Sequence, residues 1–154
     1  MKSTGVSDVN IITIYIFYNL IYALSAFPAG IIADKWGIKN TFLFGLILFI
    51  AVYIGFAFVN LEIGYWILFF IYGIYAACTE GIAKAWITNI VPGTSAGTAI
   101  GAYTGLASMA AFGASALAGV LWAVFGPEVA FGFTACVVTV VVLYLMRVPA
   151  ATKA

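Results

Sequence analysis

Glu80 and Lys84 are the residues of this sequence best fitted to do chemistry, because each is an ionisable group inside an apolar stretch that runs from Ile63 to Ile90. At about 1.5 Å per helical residue, Glu80 lies roughly 15 Å from the nearer end of that stretch. A charge at that depth in hydrocarbon costs about 2.5–3.5 kcal/mol even on the lenient insertion scale. The acid precedes the base by four residues, a spacing that lets the two side chains meet on one helix face. Two readings follow. A structural ion pair would lock helices together, whereas a pathway pair would bind a solute or couple its movement to an ion, the default meaning of ionisable groups held inside a membrane. Tyr72, Tyr75 and Thr79 lie one to two turns before them.

A second polar set lies nearer the N-terminus. On a helical wheel Tyr15, Tyr18, Asn19, Tyr22 and Ser25 fall within an arc of about 120°, and Ala26, Ala29, Gly30 and Ala33 continue the stripe. Ile, Leu and Phe cover the rest of that surface. Phenols and an amide gain nothing from facing lipid, so this face looks at protein or at water. It is either a packing seam with interhelical hydrogen bonds or one wall of a solute pathway. The candidate pathway residues are Asn19, Tyr22, Tyr72, Glu80 and Lys84. Further along, Gly97, Gly101 and Gly105 recur every fourth residue, and Ser108, Ser115 and Gly119 share their face with Phe112 as the one interruption. Such spacing lets another backbone approach closely, the mark of a helix-packing seam.

Other chemistries lack their residues. The sequence has no His, which removes the commonest general base and metal ligand. Cys78 and Cys136 both sit in apolar runs and read as small hydrophobes. No nucleophile stands beside a base and no paired acids occur, so neither a catalytic residue, a metal site nor a cofactor is expected, and an embedded enzyme is disfavoured. A net charge of +1 offers no field for nucleic acid.

The elements that position these residues follow from composition. Of 154 residues 66% are hydrophobic and 7% charged, against about 25% charged in a soluble domain. Six basic and five acidic side chains cannot clothe a water-facing surface, so the solvent is lipid. The expected fold class is an all-α membrane bundle of about five helices in one domain, with spans near 9–33, 41–59, 63–90, 98–125 and 129–146. Each is long enough to cross a hydrocarbon layer of about 30 Å. The first is too long for a signal-peptide core. Short connections make consecutive helices antiparallel. Lys35, Lys39, Arg147 and Lys153 then share one side and Lys2 the other, which predicts the former side cytoplasmic, the N-terminus outside and the C-terminus inside. Trp36, Trp66, Trp86 and Trp122 fall near the expected boundaries, where indoles prefer to sit.

On the cytoplasmic side, Gly30, Asp34, Lys35, Gly37 and Lys39 form a charged turn. Gly37 suits a position of positive φ, and Asp34 can face a helix N-terminus. This turn resembles the G-x-x-x-D-[RK]-x-G-[RK]-[RK] signature of the major facilitator superfamily, with Ile38 standing where a basic residue is usual. The text around it agrees, in order. Tyr18 to Gly30 resembles the family's eighth helix. Tyr72 to Gly81 with Lys84 and Ala85 resembles its tenth. Pro92 with Gly97 to Gly101 resembles the turn into the eleventh, although Thr94, Ser95 and Ala96 replace the usual arginine. Gly119 to Trp122 with Gly126 and Pro127 resembles the far end of the eleventh. The resemblance implies the C-terminal half of a transporter, helices eight to twelve, in the bacterial inner membrane. It implies a small-molecule solute as cargo, protons as a candidate coupling ion, 30–39 as a gating loop, and a missing N-terminal half or another chain as partner in the bilayer. The rival reading is a truncated, non-transporting membrane scaffold or interaction protein.

Overall fold

A computed structural model describes residues 8–59 and 61–148. These form five α-helices: α1 (Asp8–Trp36), α2 (Ile38–Phe58), α3 (Glu62–Ile90), α4 (Ala96–Phe125) and α5 (Pro127–Arg147), with a 3-10 turn at Gly93–Ser95 before α4. All five are long and apolar enough to cross a membrane, and no strand occurs among the described residues. This is an all-α, multi-pass membrane protein. Met1, Lys2, Asn60 and the terminal Lys153 lie outside the described residues, so Lys2 and Lys153 add nothing to the account of sidedness.

Most of the helices outrun the apolar spans expected of them. α1 continues through Asp34 and Lys35 to Trp36, and α2 begins at Ile38. The seven-residue turn read from the sequence is therefore a single non-helical residue. Gly37 makes that possible with φ +93°, a region open to glycine at little cost. Its N–H still donates to the Ala33 carbonyl (3.0 Å) and its carbonyl accepts from Thr41 N–H (3.1 Å). Gly126 repeats the device between α4 and α5, with φ +92° and its N–H on the Trp122 carbonyl at 3.1 Å. Pro127 follows as the first residue of α5, where a missing N–H is harmless. Pro28 stands inside α1 without ending it, as transmembrane helices tolerate.

α3 is the hub. It packs along α1 on one side and α2 on the other, and α2 in turn packs along α5. Two glycines set these contacts. A Cβ at Gly73 would lie 2.8 Å from Ile21 Cγ2 and 3.1 Å from the Tyr18 carbonyl oxygen of α1. A Cβ at Gly45 of α2 would lie 2.7 Å from Thr79 Cγ2 and 3.0 Å from Cys78 Cβ of α3. Ala29 of α1 and Ala77 and Cys78 of α3 form the core cluster beside these points. α4 lies at the margin, against α5 and to a lesser extent α3.

Contacts at the two ends agree with alternating helices. The Asn10 side chain of α1 donates to Glu62 Oε1 at the start of α3 (2.6 Å), so α1 and α3 run in the same direction. At the opposite end Lys39 donates to the Val148 carbonyl beyond α5, which brings the α1–α2 turn and the end of α5 to one side.

Candidate functional site

The seam between α1 and α3 collects polar aromatic side chains. The Tyr18 ring of α1 lies 5.2 Å from Tyr72 of α3, and Tyr72 lies 5.1 Å from Tyr75. The run continues across α3 to α2, where Phe49 stands 4.7 Å from Tyr75 and 4.0 Å from Tyr53. The first three pairs are tilted and the last is stacked, and tilted pairs at about 5 Å suit the ring quadrupoles. The Thr79 hydroxyl donates to the Tyr75 carbonyl at 2.9 Å, so a buried polar group is satisfied within its own helix.

Glu80 lies at the end of this seam. Its carboxylate is within electrostatic reach of the Tyr18, Tyr22, Tyr72 and Tyr75 hydroxyls, and Tyr22 is placed to donate to it. The side chain itself is exposed. Lys84 is exposed too, and no ion pair joins it to Glu80. The i,i+4 spacing permits a pair, but the carboxylate faces the Tyr22 hydroxyl of α1. A lysine one turn nearer the helix end also gains by extending its long stem towards the headgroups.

The structure thus brings together Tyr22, Tyr72 and Glu80 and leaves Lys84 one turn away, its ammonium unmatched among the described residues. Asn19 differs from the others: its amide donates to the Tyr15 carbonyl of its own helix (2.8 Å), and the residue is exposed. Phe49 and Tyr53 join the site although they are absent from the candidate set. They were legible only as an aromatic i,i+4 pair one turn after Gly45, and it is the close approach of α2 to α3 at Gly45 that brings them in.

The residues of the charged turn are spread over two helices. Gly30 is half-buried in α1, Asp34 and Lys35 are exposed in its last turn, Gly37 breaks the chain and Lys39 holds the end of α5. A cavity of about 480 Å³ lies at this end, lined by Asp34, Lys39 and Asn40 with Trp36, Trp86 and Asn89 around them. On α4, a Cβ at Gly97, Gly101, Gly105 or Gly119 would meet nothing within 4 Å, and Ser108 and Ser115 are exposed. No described helix packs on that stripe.

A bundle of apolar helices with an acid and a base inside one span, bordered by a polar aromatic seam, has the build of a membrane transporter. The chain belongs to the Major Facilitator Superfamily, whose family model matches residues 1–154. It is 34% identical over 120 residues, 78% of its own length, to a protein of Methanocaldococcus jannaschii named as an uncharacterized MFS-type transporter. The chain spans about 30% of the length of that relative. No solved structure matches it. The resemblance read from the charged turn and the flanking helices is therefore correct at the level of the family.

Proposed function

We propose that this chain is the part of a secondary transporter that carries a small solute along the α1–α3 seam across the bacterial inner membrane, driven by an ion gradient. The observation that carries the proposal is the placement of Glu80 against Tyr22 with Lys84 a turn away and unpaired among the described residues. A purely structural pair would close on itself, since an uncompensated charge inside a membrane span is costly. Tyr22, Tyr72, Glu80 and Lys84 line the route, and Asn19, turned to its own helix, plays a lesser part at its edge. Protons are the coupling ion, taken up at Glu80. Residues 30–39 gate the cytoplasmic end, with the N-terminus of the chain outside and the C-terminus inside. The small-residue stripe of α4 receives the other half of the transporter.

The test is the double change Glu80→Leu with Lys84→Met in the protein as its gene encodes it. Transport should be abolished while membrane abundance stays near normal. Full transport by the double variant would return the two residues to helix packing. Glu80→Gln should leave solute binding measurable and remove the pH dependence of uptake, because an amide cannot titrate. A second reading, a non-transporting membrane interaction module, draws on the bare face of α4. Solute movement by reconstituted protein excludes it.

A further inference from the structure

We infer that the solute is a small zwitterion of the amino-acid type, its ammonium group at Glu80 and its carboxylate at Lys84, an inference that rests on the α1–α3 seam being the pathway. Among the described residues, Glu80 is the single acid deep inside a span: Asp34 lies in the last turn of α1, while Glu62 and Glu128 lie in the first turns of α3 and α5. Lys84 is likewise the single base, since Lys35 and Arg147 stand in last turns and Lys39 at the start of α2. The membrane interior thus holds one charge of each sign, about 5–6 Å apart at the Cβ atoms as i,i+4 neighbours are, and the two do not neutralise each other.

Charge balance selects among solutes. A monocation at Glu80 would face the uncompensated Lys84 ammonium one turn away. An anion at Lys84 would face Glu80, and a neutral solute would leave both charges bare in a low dielectric. A molecule carrying both signs, separated by a few ångströms, is the class that satisfies both side chains at once.

The surroundings of the two charges differ as such a ligand requires. Within electrostatic reach of Glu80 stand the phenol hydroxyls of Tyr18, Tyr22 and Tyr72, whose oxygens can accept hydrogen bonds from an ammonium group. Beside Lys84 the helix surface is small. Gly81 has nothing within 4 Å of a would-be Cβ, and Ala85 is exposed. A carboxylate can lie there against the helix, and the flexible lysine stem can swing its ammonium group back to meet it.

The test uses matched probes on the protein as its gene encodes it, purified and examined by calorimetry. L-leucine, L-phenylalanine and glycine betaine are compared with L-phenylalaninamide, which lacks the carboxylate, and N-acetyl-L-phenylalanine, which lacks the ammonium. At least one zwitterion should bind about tenfold or more tightly than either singly charged analogue. Glu80→Gln and Lys84→Met should each remove that preference, and the swap Glu80→Lys with Lys84→Glu should restore part of it. Equal or tighter binding of the amide or of the N-acetyl compound overturns the inference.

A second measurement separates this inference from the pathway reading. Liposomes bearing the protein are loaded with cell extract, and the solutes that move are identified by mass spectrometry. Glu80-dependent movement of zwitterions supports both. Glu80-dependent movement of sugars, monocations or anions alone overturns the zwitterion and keeps the pathway. No Glu80-dependent movement overturns both.

Discussion

α3 and α4 are almost equal in length, 29 and 30 residues, and both are apolar enough to span a bilayer. Both are also rich in small residues. Yet 39% of the most apolar part of α3 is buried inside the bundle, against 0% for α4. In the first two thirds of α3 the small side chains are matched by neighbours: Gly73 admits Ile21 and the Tyr18 backbone, and Cys78 and Thr79 fill the space opposite Gly45. In α4 the glycines meet open space. Small residues in a membrane helix therefore mark a place where a backbone can approach, while the arrival of one depends on the rest of the assembly. The candidate site lies on the packed helix, because α3, held between α1 and α2, carries both interior charges.

The strongest way to break this comparison is to enlarge Gly73. Gly73→Leu would drive a side chain into Ile21 and into the Tyr18 carbonyl, and backbone cannot yield as a side-chain tip does. Forcing methylenes into a packed site costs about 1–3 kcal/mol, and the rigid obstacle puts this variant at the top of that range. The change also splays Tyr18 from Tyr72. Unfolding in mixed detergent micelles should shift markedly, and solute binding should fall with it. A variant as stable as the parent would mean that α1 and α3 are not in contact at Gly73.

A middle-sized effect comes from the two single-residue breaks. Gly37 and Gly126 have nearly the same φ, +93° and +92°, so an alanine at either incurs a similar local strain of about 1–3 kcal/mol. The consequences should differ. Gly37→Ala strains the joint between α1 and α2, which both pack on α3, and should lower the stability of the bundle. Gly126→Ala strains the joint to the peripheral α4 and should leave protease protection of α1 to α3 intact. Equal loss of protection in the two variants would show that α4 is as integral as α3.

A smaller effect is expected at the opposite end of the seam. Asn10→Ala removes the donor to Glu62 (2.6 Å). A hydrogen bond to a carboxylate at an exposed helix end is worth about 0.5–1 kcal/mol. The unfolding midpoint should drop slightly, with solute binding unchanged, since Glu80 lies eighteen residues further along α3. A large fall in binding would tie this end of the seam to the pathway.

Much of the fold was legible because lipid imposes a simple rule: apolar stretches long enough to cross must be helices. The five helices follow from hydropathy and punctuation, and the turns at Gly37 and Gly126 fall where expected but are single glycines rather than seven and three residues. The ends were less legible, since charged residues such as Asp34 and Lys35 can extend a helix into the headgroups without changing the hydropathy signal. The site was legible in part. Tyr22, Tyr72 and Glu80 declare themselves as polar groups on helix faces, and the structure gathers them. The orientation of Asn19 towards Tyr15 and the separation of Glu80 from Lys84 depend on rotamers that spacing does not fix. The entry of Phe49 and Tyr53 depends on how α2 leans on α3, a tertiary fact written in the sequence only as the small residue Gly45.

The smallest expected effect on stability gives the sharpest contrast with Gly73. Gly105 lies at the centre of the stripe on α4, and a Cβ there meets nothing within 4 Å. Gly105→Leu should therefore cause no clash in the bundle, and replacing a mid-helix glycine favours the helix by up to about 0.8–1 kcal/mol. The midpoint of unfolding should stay put or rise slightly, opposite in sign to Gly73→Leu. If the other half of the transporter docks on this stripe, the same leucine would hold the two backbones apart, because close approach is what the glycines permit. Transport by the protein as its gene encodes it should then fall steeply, while stability of the α1 to α5 bundle does not. The two measurements must diverge for the stripe to be a docking face. Loss of stability on its own would mean that the stripe packs within this chain, and unchanged transport would mean that nothing approaches it at Gly105.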